Sequence, residues 1–129
     1  MPAPAQRATI LVVPLTVLIV DDHADFRSLA RSLLEAEGLS VVGEAEDAMS
    51  ALAAAARLHP QIVLLDIQLP DLDGFEVAER LGRDPDAPAV VLVSTRDVSS
   101  YRRRLAASSV RGFILKSELS GSAIAALVS

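Results

Sequence analysis

The sequence predicts a doubly wound α/β fold, a parallel sheet with helices on both faces, on three observations. Five short apolar runs alternate with segments of helical length. Each run is continuously apolar rather than alternating, as strands buried on both faces must be. Several runs close on a polar residue, and ligands in such sheets bind beyond the carboxyl ends of the strands.

The elements follow in order. TVLIV (16–20) is a β-branched run that stops at Asp21 and Asp22. Phe26, Leu29, Ala30, Leu33 and Leu34 then recur at helical spacing, and Gly38 supplies a stop. LSVVGEA (39–45) reads as a second strand, and the alanine-rich segment 47–59 as a helix ended by Pro60. QIVLLD (61–66) is the third strand. After the turn-forming LPDLDG, the residues Phe75, Ala78 and Leu81 mark a helix stopped by Gly82. PAVVLVS (88–94) is a fourth strand, 97–109 a polar helix, GFILK (112–116) a fifth strand, and a final helix runs to the end of the chain.

A chain of 129 residues fits one domain with a core of its own. That core is aliphatic, because hydrophobic residues make up 51% of the chain and aromatics only 3%. The absence of cysteine excludes disulfides, thiolate metal sites and a cysteine nucleophile. The two histidines, His23 and His59, lie far apart and read as a loop residue and a helix end. A net charge of −5 argues against nucleic-acid binding by this chain. The triplet Arg102-Arg103-Arg104 reads as a solvated helix face, against a phosphate or acidic-partner patch. ATILVVPLTVLIVDD is apolar but is interrupted by Pro14 and too short to span a bilayer, which needs ~20 residues. The expectation is a soluble, cytoplasmic chain. Residues 1–15 read as an extension whose order the sequence leaves open, with 8–13 an added strand or a surface segment, and 16–129 as the domain.

The strand ends bring Asp21, Asp22, Asp66, Ser94 and Lys116 to one edge. Lys116 is the one lysine among 12 basic residues, the rest being arginine. Three neighbouring carboxylates repel one another and raise each other's pKa, a conflict that a divalent cation removes. All-oxygen ligands favour Mg²⁺ or Mn²⁺. A hydroxyl and a compact ammonium beside the metal suit an anion such as a phosphoryl group. The set is equipped for phosphoryl transfer to a carboxylate.

In this order VLIVDD, LLDIQLPDLDG, Ser94 closing the fourth strand, and GFILK resemble the receiver domain of two-component response regulators, over residues 16–129. The wording of VDDH, DIQLPDLDG and GFILK is most similar to the branch with a C-terminal helix-turn-helix output domain. The resemblance implies a flavodoxin-like five-stranded sheet in the order 2-1-3-4-5. It implies Asp66 as phosphoacceptor, with Mg²⁺ held by Asp22 and Asp66, by Asp21 through water, and by the backbone carbonyl of Gln68. Ser94 would hydrogen-bond the phosphoryl group and Lys116 would pair with it. Phe113 would be the switch aromatic that turns inward with Ser94, and Pro70 and Gly74 would shape the loop after Asp66.

The implied function is a phosphorylation-dependent switch, not an enzyme. Its partners would be a sensor histidine kinase or phosphotransfer protein and an output partner or domain. Phosphorylation would alter the surface of the fourth helix, fifth strand and fifth helix, with a homodimer as one outcome. Asp71 and Asp73 read as turn and cap residues rather than ligands. Two features depart from the pattern. Thr95 is larger than the residue usual after the hydroxyl, and Arg96 follows it, so both are expected to modulate access and phosphoryl lifetime. AASSVRG lacks the usual glycine-alanine pair, which leaves the fourth helix and its loop open. Two alternatives stand beside this reading: a phosphorylation-independent scaffold, and a Mg²⁺-dependent small-molecule phosphatase. The second lacks an acid two residues after Asp66, where Gln68 stands. A nucleotide or flavin site lacks a glycine-rich loop after the first strand.

Overall fold

The computed structural model describes residues 13–128. Five parallel strands form one sheet in the order β2-β1-β3-β4-β5, as expected. They are β1 (Thr16–Val20), β2 (Ser40–Ala45), β3 (Ile62–Asp66), β4 (Ala89–Ser94) and β5 (Gly112–Leu115). The helices are α1 (Ala24–Ala36), α2 (Ala48–Leu58), α3 (Gly74–Leu81), α4 (Arg102–Ala106) and α5 (Gly121–Val128).

The continuous hydrophobicity of the strands has the predicted cause. Val17, Ile19, Ile62, Leu64, Val91 and Val93 face a cluster that includes Ala30 and Leu34 of α1 and Ile124 of α5. Leu18, Val20, Val63, Leu65, Val90 and Leu92 face the opposite cluster, with the alanines of α2 and with Phe75, Val77 and Leu81 of α3. Adjacent strand residues therefore enter different layers, and neither parity can be polar. Each fully buried aliphatic side chain contributes about 1.5–3 kcal/mol.

Loops after the strands are fixed by side-chain caps and, after β3, also by the packing of Ile67, Leu69 and Leu72 on the core. Asp47 caps α2 by accepting from the Ser50 N–H at 2.8 Å, and Asp71 accepts from the Ala48 and Met49 N–H groups at 2.8 and 3.0 Å. Asp73 caps α3 through the Glu76 N–H at 3.0 Å. Both Asp71 and Asp73 thus serve as cap residues. His59 ends α2 in the left-handed conformation, with φ 48°. Among the described residues, no helix is long and apolar enough to cross a membrane.

Three expectations need correction. The single helix over 97–109 is instead a 3-10 turn at Val98–Ser100 followed by the five-residue α4. Asp97 caps the turn by accepting from Ser99 N–H at 3.0 Å, and Ser108 Oγ donates to the Leu105 carbonyl at 2.9 Å. Such side chains compete with the helix for its backbone groups. The segment after β5 forms a 3-10 turn at Lys116–Glu118 before α5 begins, so Lys116 lies just past the strand. The arginine triplet is not wholly a solvated face, because Arg104 reaches Asp73 at 2.5 Å. The strand or surface segment expected at 8–13 falls, except for the exposed Val13, outside the described residues.

Candidate functional site

Parallel register carries the polar residues to one edge. Asp66 is opposite Val93 and Ser94 opposite Leu115, so the third, fourth and fifth strands run out together. Asp21 follows β1 directly and is anchored by its N–H to the Ala45 carbonyl, 3.0 Å away at the end of β2. Asp21 is 0% exposed, Asp66 3% and Ser94 2%, and these are the buried polar or charged residues of the described chain.

Burial of two carboxylates sets the electrostatics. Desolvation, and then the charge of Asp21, push the Asp66 carboxyl up to about 6, against the opposing pull of Lys116 and the Gln68 N–H. Gln68 N–H donates to Asp66 Oδ1 at 3.1 Å. Lys116 Nζ lies 3.4 Å from Asp66 Oδ2 and 2.5 Å from Asp21 Oδ2, joining the two acids. Among the described residues, Asp21 Oδ2 nonetheless receives no hydrogen bond, so its contact with Lys116 is a charge pair without hydrogen-bond alignment. The ammonium also stands 4.7 Å from the Phe26 ring centroid, a cation–π contact on its open side.

Asp22 and His23 complete the cluster. Ligand atoms of Asp21, Asp22, His23 and Asp66 all lie within 4.8 Å of one another. Sequence reasoning left His23 in the loop, whereas its Nδ1 lies 3.1 Å from both Asp21 Oδ1 and Asp22 Oδ1. Adjacency to Asp21-Asp22 was the available signal. A buried carboxylate oxygen without a hydrogen bond, amid further carboxylates, fits a hard divalent cation.

The loop after Asp66 closes tightly against the backbone at the end of β3. A Cβ on Gly74 would lie 2.6 Å from the Asp66 carbonyl oxygen and 2.8 Å from Ile67 Cα, so only glycine permits this approach. Gly74 N–H donates to the Ile67 carbonyl at 2.7 Å, and Gln68 bridges to Asp73. Pro70 is exposed within this loop.

On the other side, Ser94 Oγ accepts from the Arg96 N–H at 3.0 Å and lies 3.3 Å from the Tyr101 hydroxyl. The Thr95 and Arg96 side chains are exposed at the mouth. Phe113 is half-buried, its ring centroid 6.1 Å from that of Tyr101. Tyr101 went unremarked in the sequence, although a lone tyrosine amid serines and arginines was a signal.

Comparison with known proteins agrees with this architecture. A family model of the response regulator receiver domain matches residues 17–128. The chain is 45% identical over 86 residues to a protein-glutamate methylesterase/protein-glutamine glutaminase of Myxococcus xanthus, covering 66% of this chain and 25% of that protein. It is 42% identical over 103 residues to the transcription regulator BvgA of Bordetella pertussis, covering 79% of this chain and 49% of that one. The chain therefore spans half or less of the length of these curated relatives. Among solved structures, the signal receiver domain of NarL from Mycobacterium tuberculosis superposes with a TM-score of 0.80 at 27% identity, over 90% of this chain and 98% of that one. With the sheet order, the acidic edge and the sequence match in agreement, the chain belongs to the response regulator receiver domains, the phosphorylation-dependent switches of two-component signalling.

Proposed function

We propose that Asp66 is the phosphoacceptor of this receiver and that Mg²⁺ is held by Asp22, Asp66 and the backbone carbonyl of Gln68, with Asp21 acting through water. The observation that carries the reading is the gathering of Asp21, Asp22 and Asp66 ligand atoms within 4.8 Å, with Lys116 Nζ bridging Asp21 and Asp66. Bound there, Mg²⁺ supplies positive charge beside the phosphoryl oxygens.

The chain's own residues do the rest. An Asp66 carboxylate oxygen attacks the phosphorus of a phosphohistidine on a histidine kinase or phosphotransfer protein. The P–O bond forms as the P–N bond breaks, and the imidazole keeps the electron pair and takes a proton from solvent. At neutral pH Asp66 is mainly ionised, since its carboxyl is held at about 6, so the nucleophile is available. Lys116 exchanges its Asp66 contact for a phosphoryl oxygen, and Ser94 donates its hydroxyl proton to another. Thr95 and Arg96, at the mouth, govern the approach of water and so the lifetime of the acyl phosphate. The domain spans 16–129, and its phosphorylated surface acts on an output domain or partner, by homodimerisation or by direct contact. This is the work of a switch rather than of an enzyme.

The test is intact-protein mass after incubation with acetyl phosphate. We expect a gain of one phosphoryl group that requires Mg²⁺ and is absent in Asp66→Asn. No gain at early times, or an equal gain in the variant, refutes the assignment.

A further inference from the structure

We propose that Tyr101, rather than Phe113, is the residue through which Ser94 reports phosphorylation to α4; this rests on the assignment of Asp66 and Ser94 above. Ser94 Oγ has one proton to give and two lone pairs. The Arg96 N–H at 3.0 Å occupies one lone pair. The Tyr101 hydroxyl at 3.3 Å takes the remaining position, and in the resting protein either oxygen can be the donor. When a phosphoryl oxygen accepts the Ser94 proton, only one direction is left: Tyr101 must donate to Ser94. Phosphorylation thereby fixes the orientation of a buried hydroxyl, and a chain of hydrogen bonds with one direction is stronger than its separate links.

Tyr101 is placed to pass this on. It is 7% exposed and joins the 3-10 turn to α4, and its carbonyl accepts the Leu105 N–H of that helix at 2.9 Å. Its ring centroid lies 6.1 Å from those of both Phe75 and Phe113, so it couples α3 to β5. One turn on, Arg104 pairs with Asp73 at 2.5 Å and stacks 4.3 Å over Phe75. The short α4 is therefore held on one side by Ser94, at the end of β4, and on the other by the cap of α3, which ends the Asp66 loop. Both arms of the phosphorylation site meet on Tyr101 and Arg104. These contacts border a groove of about 510 Å³ between α3 and α4, lined by Phe75, Glu79, Arg104 and Ser108 among others. Phe113 has no polar side-chain atom with which to hydrogen-bond Ser94, and it meets Tyr101 only ring to ring.

The experiment is hydrogen exchange read by mass spectrometry over a peptide spanning 98–108, with and without acetyl phosphate and Mg²⁺. Wild type, Tyr101→Phe and Phe113→Leu are compared at matched phosphoryl occupancy, measured on the intact proteins. Tyr101→Phe keeps the ring and removes only the hydroxyl. We expect loading of wild type to change exchange in this peptide by about fivefold, the effect of one hydrogen bond. The change should be lost in Tyr101→Phe and kept in Phe113→Leu. As the chain has one tyrosine and no tryptophan, wild-type emission at the tyrosine wavelength should change in parallel. Wild type that loads without a change in exchange overturns the proposal, as does a full change in Tyr101→Phe or a loss in Phe113→Leu. A Tyr101→Phe protein unable to load would put the residue in the transfer step and also overturn it. Absence of loading in wild type is a different failure, because it removes the assignment of Asp66 itself.

Discussion

The two ends of the sheet are built on opposite terms. At the amino end, Thr16 and Gln61 satisfy each other: Thr16 N–H donates to Gln61 Oε1 and Gln61 N–H to Thr16 Oγ1, both at 2.9 Å. The Gln61 carbonyl then accepts the Ala89 N–H at 2.9 Å, joining the starts of three strands with neutral groups. At the carboxyl end two buried carboxylates share one ammonium, and one buried oxygen has no hydrogen bond among the described residues. The amino end is satisfied by the chain alone. The carboxyl end keeps a residual conflict, which the cation and phosphoryl group proposed above would relieve.

The comparison can be broken most severely at Gly74. A methyl group there meets the Asp66 carbonyl at 2.6 Å, so Gly74→Ala should cost about 2–3 kcal/mol in urea denaturation and weaken Mg²⁺ binding. An unaltered midpoint would mean that the loop yields easily and is not held against the strand end.

Removing the conflict should stabilise the fold. A carboxyl held at about 6 is protonated more easily folded than unfolded, so its charge costs stability above that pH, and the cost fades toward the ordinary value of 3.8. The full shift corresponds to about 3 kcal/mol, which screening at the open mouth reduces. Without metal, Asp66→Asn should therefore gain about 1–2 kcal/mol at pH 7.5 and almost nothing near pH 4. Mg²⁺ should raise the Tm of wild type at pH 7.5 and leave that of the variant nearly unchanged. A variant less stable than wild type at pH 7.5 would show that Asp66 is satisfied in place.

These contrasts explain how much the sequence revealed. The strands were legible because burial on both faces allows no polar residue within a run such as Ile62–Leu65. The acidic edge was legible because parallel strands end together, so Asp21, Asp66, Ser94 and Lys116 needed only their strand order to meet. What escaped depended on contacts between side chains far apart in sequence. Arg104 meets Asp73 across 31 positions, and Glu37 accepts the Gly121 N–H at the start of α5 across 84. The break in the 97–109 helix escaped because serine and aspartate at caps look the same in sequence as serine and aspartate on a solvated helix face.

Smaller effects sharpen the contrast from the amino end. Gln61→Ala removes the Oε1 that accepts the Thr16 N–H, leaves the Gln61 N–H donating to Thr16 Oγ1, and should cost about 1 kcal/mol in urea denaturation. Phosphoryl uptake from acetyl phosphate should not change, and a marked loss of uptake would couple the two ends. Smallest is the contribution of Asp71. The backbone N–H groups of Ala48 and Met49 hold its carboxyl below the ordinary value, so its stabilising effect is present above that value and is lost as pH falls through the folded one. Asp71→Asn should lower the neutral plateau of the stability curve slightly and leave the most acidic end unchanged, so that the acid limb is flatter.

The central claim is that the chemistry of the carboxyl edge occurs at one carboxylate. It is tested most directly by phosphorylating the protein with acetyl phosphate and Mg²⁺, reducing the acyl phosphate with borohydride, and mapping the resulting homoserine by peptide sequencing. The account predicts conversion at Asp66 alone. Conversion at Asp21, Asp22 or Asp71, or none in a protein that has gained a phosphoryl group, would contradict it.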